Sequence, residues 1–446
     1  MPDYRSTRRL RRVGSACVAG VVTALAVPAA PAVASTINVP CSTVALIAAM
    51  LSAGPGDVLN LSPACLYSVT SAFSGEDGLP PVTNPDLTIH GNAAVIERAT
   101  GSAGFRLFDI ASGGILNMDN LTVTGGSTAT DGGGILVQNG GNLTTDAILV
   151  KRSRTTQRGG GVGVETGGSA DLHNSRVFNN SSVGAGGGID AEGNVTLLQT
   201  TVDLNRAQGG GGGVNTDPGA QQLLIANSTV KNNVGQTSSG GIDLGGGITT
   251  INGTSIVDNS APNGAFAGGI YNGPASTLQI SASAIAGNTA TANSAPAAGG
   301  LRSDGFTTIN GAEITKNIIV GQQGTGGGIA QLDGTLTLNN VDVTENLASG
   351  QSSVGGGIFS QSADGLFLNF SHVDSNKVTG QNSSAAGIHN DTTPVTLTNS
   401  TVHNNNAVIS PGGIWTNVAF TLNGINTVSG NTPSNCLNSP VVVCAG

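Results

Sequence analysis

Gly187-Gly188-Ile189 is one copy of a box that returns along almost the whole chain. Gly-Gly-Ile/Val/Leu boxes end at Ile135, Val162, Ile189, Val214, Ile242, Ile270, Leu301, Ile329, Ile358 and Ile414, and Ala386-Gly387-Ile388 is a one-glycine version. Successive aliphatics are 27, 27, 25, 28, 28, 31, 28, 29, 30 and 26 residues apart. Self-similarity at such a period marks a repeat architecture.

A second box, Val/Ile-x-x-Asn, runs in phase with the first, from Val177/Asn180 through Val230/Asn233 and Ile314/Asn317 to Val428/Asn431. The step from first to second box is 13 to 16 residues, and from the Asn to the next first box 9 to 13. Between them lie short alternating runs such as Gly334-Thr-Leu-Thr-Leu-Asn339, which carry strand periodicity. Short strands, Gly and Asn at corners and a repeat near 28 predict an all-β, single-stranded parallel β-helix. The paired glycines fit a corner needing φ > 0 or close backbone approach. The asparagines suit a left-handed corner and, stacked coil on coil, an amide ladder.

Residues 1–34 read as an export signal, with five arginines (Arg5 to Arg12), an apolar stretch from Ala16 to Val27, and Ala32-Val33-Ala34 as a cleavage site. Removing it leaves 12 of the 17 basic and 25 of the 26 acidic residues, a net charge near −13. That balance argues against nucleic acid as a partner, and no later apolar run is long enough to span a membrane. The expected destination is outside the cell, free or at its surface. Aromatics are only 3% of residues while Gly numbers 69, which suits a solenoid's narrow core better than one compact globule.

The expected organisation is a cap over 35–72, with a helix over 42–52 and a strand over 57–61, then a β-helix over 73–431 and a closing cap over 432–446. The helix stripe is Val44, Leu46, Ile47, Met50 and Leu51, stopped at Gly54-Pro55-Gly56. Four cysteines remain after processing, and three connectivities are open to them. Their positions near opposite ends of a solenoid favour the local pairs Cys41–Cys65 and Cys436–Cys444. Zinc binding is disfavoured because neither pair has Cys-x-x-Cys spacing.

The two boxes together resemble the GGAI/FxxN repeats of polymorphic outer-membrane proteins, with Val or Ile where that family prefers Phe. Cys41-Ser-Thr-Val-Ala-Leu-Ile-Ala-Ala-Met50 with Gly56-Asp-Val-Leu-Asn-Leu61, and Leu121-Thr-Val-Thr-Gly-Gly126, resemble the CSLREA-type exported β-helix proteins. These resemblances imply a right-handed, pectin-lyase-like β-helix with a role in adhesion. The chain departs from the outer-membrane family in having nothing after Asn431 that resembles a membrane barrel.

Enzymes on that fold need clustered carboxylates or calcium-holding acids with a base. The sequence has no Asp-Asp pair and no Arg-His-Gly. Asp190, Asn215 and Asp243 fall in equivalent slots and read as exposed polar residues of a strand. No catalytic residue, metal or cofactor is expected.

Two binding candidates remain. The residue after each first-box aliphatic should point outward, and this column collects Tyr271, Phe359, His389 and Trp415, aromatics able to stack on sugars. The other is Lys151, Arg152, Arg154 and Arg158, a basic run on an acidic chain, with Lys151 in the Asn slot after Ile148. The functional expectation is a non-catalytic binding or adhesion module for a carbohydrate or cell-surface polymer. The alternative is a polysaccharide lyase or hydrolase with an atypical site.

Overall fold

The computed structural model describes residues 34–263, 266–291, 297–436 and 444. The expected export signal therefore lies outside the described residues apart from Ala34, as do 437–443, 445 and 446 of the expected closing cap. The chain winds into a parallel β-solenoid of about 13 coils, each of roughly 28 residues.

Each coil contributes up to four short strands, and each strand pairs in parallel with its counterparts one coil away. In one coil these are Ile135–Val137, Asn142–Asp146, Leu149–Lys151 and Arg154–Thr155. The first three kinds of strand belong to one continuous 37-stranded sheet, and the fourth kind forms a separate sheet of ten. Alternation sets which side faces in. In Thr335–Asn339, Leu336 and Leu338 are fully buried while Thr335, Thr337 and Asn339 lie outside. Burying only aliphatics on one face of each strand fills the narrow interior.

The aliphatics of the Gly boxes are in register, Ile135 on Val162, Val162 on Ile189, and so on to Ile388 on Ile414. The glycine pairs fit by close approach: a Cβ on Gly188 would stand 2.6 Å from Gly213 O and 2.9 Å from Asn205 Nδ2. The asparagines form the expected ladder. Each Nδ2 donates to the next coil's Oδ1 and back to a carbonyl of the previous coil, as Asn288 does to Asn317 and Ile256 at 3.0 and 2.9 Å. Each backbone N–H donates to that same Oδ1. All four hydrogen-bonding sites of the buried amide are thereby satisfied.

The left-handed corner is not at the asparagine, contrary to expectation. It falls one residue earlier, at Asn179, Leu204, Lys316 and Glu345, where φ is between 53 and 57°. A left-handed residue there swings the following N–H along the stack and onto the next Asn. The register also corrects one coil of the sequence reading. Val150, not Ile148, pairs with Val177, so Ser153 fills the Asn slot and donates its N–H to Asn180 Oδ1 at 2.9 Å.

At the N-terminal end the parallel ladder already begins with Thr36–Val39 on Val58–Leu61, within the stretch read as a cap. The helix Thr43–Ser52 is capped by the Ser42 side chain and buries Leu46, Ala49 and Met50. Val44 and Leu51, two members of the expected stripe, are instead exposed at 77% and 61%. Cys41–Cys65 and Cys436–Cys444 are bonded, with Cα atoms 5.6 and 5.9 Å apart. Among the described residues no helix is long and apolar enough to cross a membrane.

Candidate functional site

The expected aromatic stripe is not an open surface. Phe359, His389 and Trp415 do stack along adjacent coils, with ring centroids 5.4 and 4.3 Å apart and planes within 15 and 9° of parallel. Phe359 is only 4% exposed, packed with Ala298 and Ala330, and Leu332 and Val354 lie against this group. At Phe359 the turn that precedes the Gly box folds back over the strand that follows it. Gly355, with φ 63°, sits so close to Phe359 that a Cβ there would lie 2.9 Å from the Phe359 Cβ. Phe359 is therefore roofed by its own coil, whereas Tyr271, His389 and Trp415 remain part-exposed. Tyr271 is engaged locally: it packs on Phe266 at 4.8 Å, donates to Asp304 at 3.2 Å, and has Arg302 above both rings.

The acidic slots of this column are roofed too, which corrects their reading as exposed. Asp190 is 3% exposed, and the Asn215 amide donates to it at 2.7 Å. Burial pushes the Asp190 carboxyl up to about 7 and that of Asp243 to about 6. A further acid group, missed in the sequence, surrounds the buried Arg106, which lies 3.2 Å from the part-buried Asp77 and 3.5 Å from Glu76. Burial likewise raises Asp77 to about 6, with Asp109 adding to the effect. Gln138 closes both oxygens of Asp109 at 2.9 and 2.7 Å. Glu76 also accepts from Thr128 and Thr130, and Thr128 lines the larger of the arginine clefts described below. Among the described residues no group of three or more His, Cys, Asp or Glu is placed to hold a metal ion.

The basic run is split by the fold. Arg158 turns into an acidic nest, with its guanidinium on Glu192 at 2.7 Å and on Asp217, and its backbone N–H on Asp131 at 2.9 Å. Lys151 is half-buried on a different strand, in register with Thr124 and Phe178. Arg152 and Arg154 stay exposed and meet two arginines distant in sequence, Arg98 and Arg206.

A cleft of about 440 Å³ is lined by Arg154 and Arg206 with Ser127, Thr156, Ser181 and Gln208, among other small polar residues. A second, of about 230 Å³, is lined by Arg98, Arg152 and Arg154 with Thr100 and Gly125. Arg154 belongs to both, and no carboxylate lines either. Among the described residues none of these four arginines pairs with a carboxylate. Arg98 is anchored by carbonyls instead, donating to Gly125 and Ser102 at 2.7 Å each. Burial, and then the like charge of Arg154, lower the proton affinity of Arg98. The arrangement is a cationic face with hydroxyl and amide groups between its charges.

One other cleft, of about 390 Å³, lies near the C-terminal end between His372, Asp374, Thr401 and His403. His372 Nδ1 is 2.7 Å from Thr401 Oγ1, and His403 Nδ1 is 3.5 Å from Asp374 Oδ1.

No family model and no curated protein matches the chain. Among solved structures it is similar to pectate lyase Pel9A, at 12% identity and TM-score 0.24 over 88% of this chain and 79% of that one. It is also similar to the A-module of the Azotobacter vinelandii mannuronan C-5 epimerase AlgE6, at 15% identity and TM-score 0.28 over 87% and 94%. Likeness at this level carries no chemistry across. The fold and the site define the class: a parallel β-helix that carries a cationic face.

Proposed function

We propose that the protein is a non-catalytic binding module that works outside the cell, free or at its surface, and holds an acidic carbohydrate or cell-envelope polymer on the arginine face. The observation that carries this reading is a set of four arginines, without carboxylate partners among the described residues and three of them exposed, on a chain of net charge −9. Two disulfides are consistent with an oxidising compartment. Guanidinium groups suit carboxylate and sulfate through paired hydrogen bonds, and the hydroxyls between them suit sugar hydroxyls. No carboxylate lines either arginine cleft, and Glu76, which reaches the lining residue Thr128, is held by Thr128, Thr130 and the Ala129 N–H.

The alternative, a polysaccharide-acting enzyme, would draw on the His372, Asp374 and His403 cleft, where an imidazole beside a carboxylate is a possible base. One experiment separates the two: an array of glycans and cell-wall polymers probed with the chain from residue 35, with unsaturated products followed by absorbance on the same polymers. Binding to acidic polymers without product supports the module. Product formation overturns it, and failure to bind any acidic polymer removes the assignment of the arginine face.

A further inference from the structure

The four arginines are not scattered; they obey the register of the solenoid. Glu97 pairs with Thr124 and Thr124 with Lys151, so the residues that follow them, Arg98, Gly125 and Arg152, occupy one slot on three successive coils. Two positions further along the chain, Ser127 pairs with Arg154, Arg154 with Ser181, and Ser181 with Arg206. Positive charge therefore sits on the first, third and fifth of five successive coils. The second and fourth present Gly125 with Ser127, and Ser181. With coils about 4.8 Å apart, charge recurs every ~9.6 Å and the row spans about 19 Å along the axis.

Resting on the reading of the face as a polymer site, we infer that its ligand is a linear acidic polysaccharide, lying extended along the solenoid axis with an anionic group turned toward the protein at every second sugar. A sugar unit of an extended chain is about as long as one coil step. In a chain whose units alternate by half-turns, substituents on one side recur at every second unit. The neutral coils then meet the intervening sugars through small side chains, the Ser181 hydroxyl among them, leaving room for the ring, while the Ser127 hydroxyl holds Arg154 in place. The like-charge strain between Arg98 and Arg154 is relieved when an anion enters between them. Nucleic acid is disfavoured because no aromatic side chain lines either cleft to stack a base.

The test uses the chain from residue 35 and size-defined oligouronates of one to eight units, with titration calorimetry as the readout. Affinity should climb with length and level off at five units, and an oligomer alternating uronate with neutral sugar should match the fully charged one. Arg206→Ala and Arg98→Ala should each weaken five-unit binding about ten-fold, the loss of one charge-assisted contact. Each should also bring the plateau down to about three units. A plateau at one or two units, or a loss confined to Arg154→Ala while Arg98→Ala and Arg206→Ala bind like the unaltered chain, overturns the axial arrangement while leaving an acidic-sugar site in place. Equal affinity for single-stranded DNA overturns the polysaccharide class. If no acidic oligomer of any length binds, the reading of the face as a polymer site is what fails.

Discussion

Gly188 lies directly against the side-chain amide of Asn205: a Cβ on the glycine would come within 2.9 Å of Nδ2. The same contact recurs at Gly241 with Asn259 and Gly328 with Asn346, at 3.0 and 2.9 Å. The two sequence boxes are thus two sides of one contact. Gly188→Ala should push the ladder out of line and cost about 1–3 kcal/mol, the usual penalty for overpacking. Gly219→Ala, with nothing within 4 Å of its Cβ, should be near neutral. Urea unfolding of the pair checks this, and equal midpoints would count against it.

Removing a ladder amide should hurt more. Asn288→Ala strands the N–H and Nδ2 of Asn259 and the carbonyl of Ile256, all in the interior. Leaving several buried polar groups unpaired predicts a loss on the order of 4 kcal/mol. Hydrogen exchange should show protection lost at Asn259 before distant coils respond.

The buried carboxyls set the pH response. Asp190, Asp243 and Asp77 hold protons up to about 7, 6 and 6 in the folded chain, against 3.8 for an unperturbed Asp. Between those limits these three groups bind more protons in the native state than in the unfolded one, so their contribution to stability is fully present below about pH 4 and is lost as pH rises through 6 to 7. The thermal midpoint should be higher at pH 5 than at pH 8, and Asp190→Asn with Asp243→Asn should flatten the difference. A midpoint that rises with pH would contradict this.

Phe359→Ala should lower stability by about 3–5 kcal/mol, because the ring is a packed interior group. Its effect on polymer affinity, measured where the variant remains folded, should be within error. A specific loss of affinity would restore the aromatic column as a binding surface.

Arg154 and Arg158 separate the two fates of the basic run. Arg154→Ala should weaken acidic polymer binding at least ten-fold and leave the thermal midpoint unchanged or raised. Arg158→Ala should leave affinity unchanged and lower the midpoint, since Glu192 and Asp217 lose their shared cation. Affinity and melting measured on both proteins decide it.

The solenoid, its period and the ladder were legible because each coil repeats the same steric demand, so a single box predicts its neighbours. The exposure of the column after the Gly box was not, since strand alternation says which way Phe359 points but not that the preceding turn folds over it. The position of the left-handed corner was equally hidden, because Leu204, Lys316 and Glu345 give no compositional sign of a positive φ. The arginine face could have been read. Arg206 follows Asn205 as Arg154 follows Ser153, so the position after the Asn slot carries an arginine on both coils. Taking Lys151 for the Asn slot concealed it.

The ladder has a direction. From Asn180 to Asn431 every side-chain carbonyl points toward the N-terminal end of the solenoid, where it accepts from the coil before, as Asn205 does from Asn180 and Asn431 from Asn405. Dipoles aligned in this way add, as they do along a helix. The electronegative pole of this wire emerges at Ser153, between Arg152 and Arg154. The same stack of amides that fastens the coils therefore lays a negative potential beneath those two arginines, and helps the scaffold tolerate a bare cluster of cations at that point.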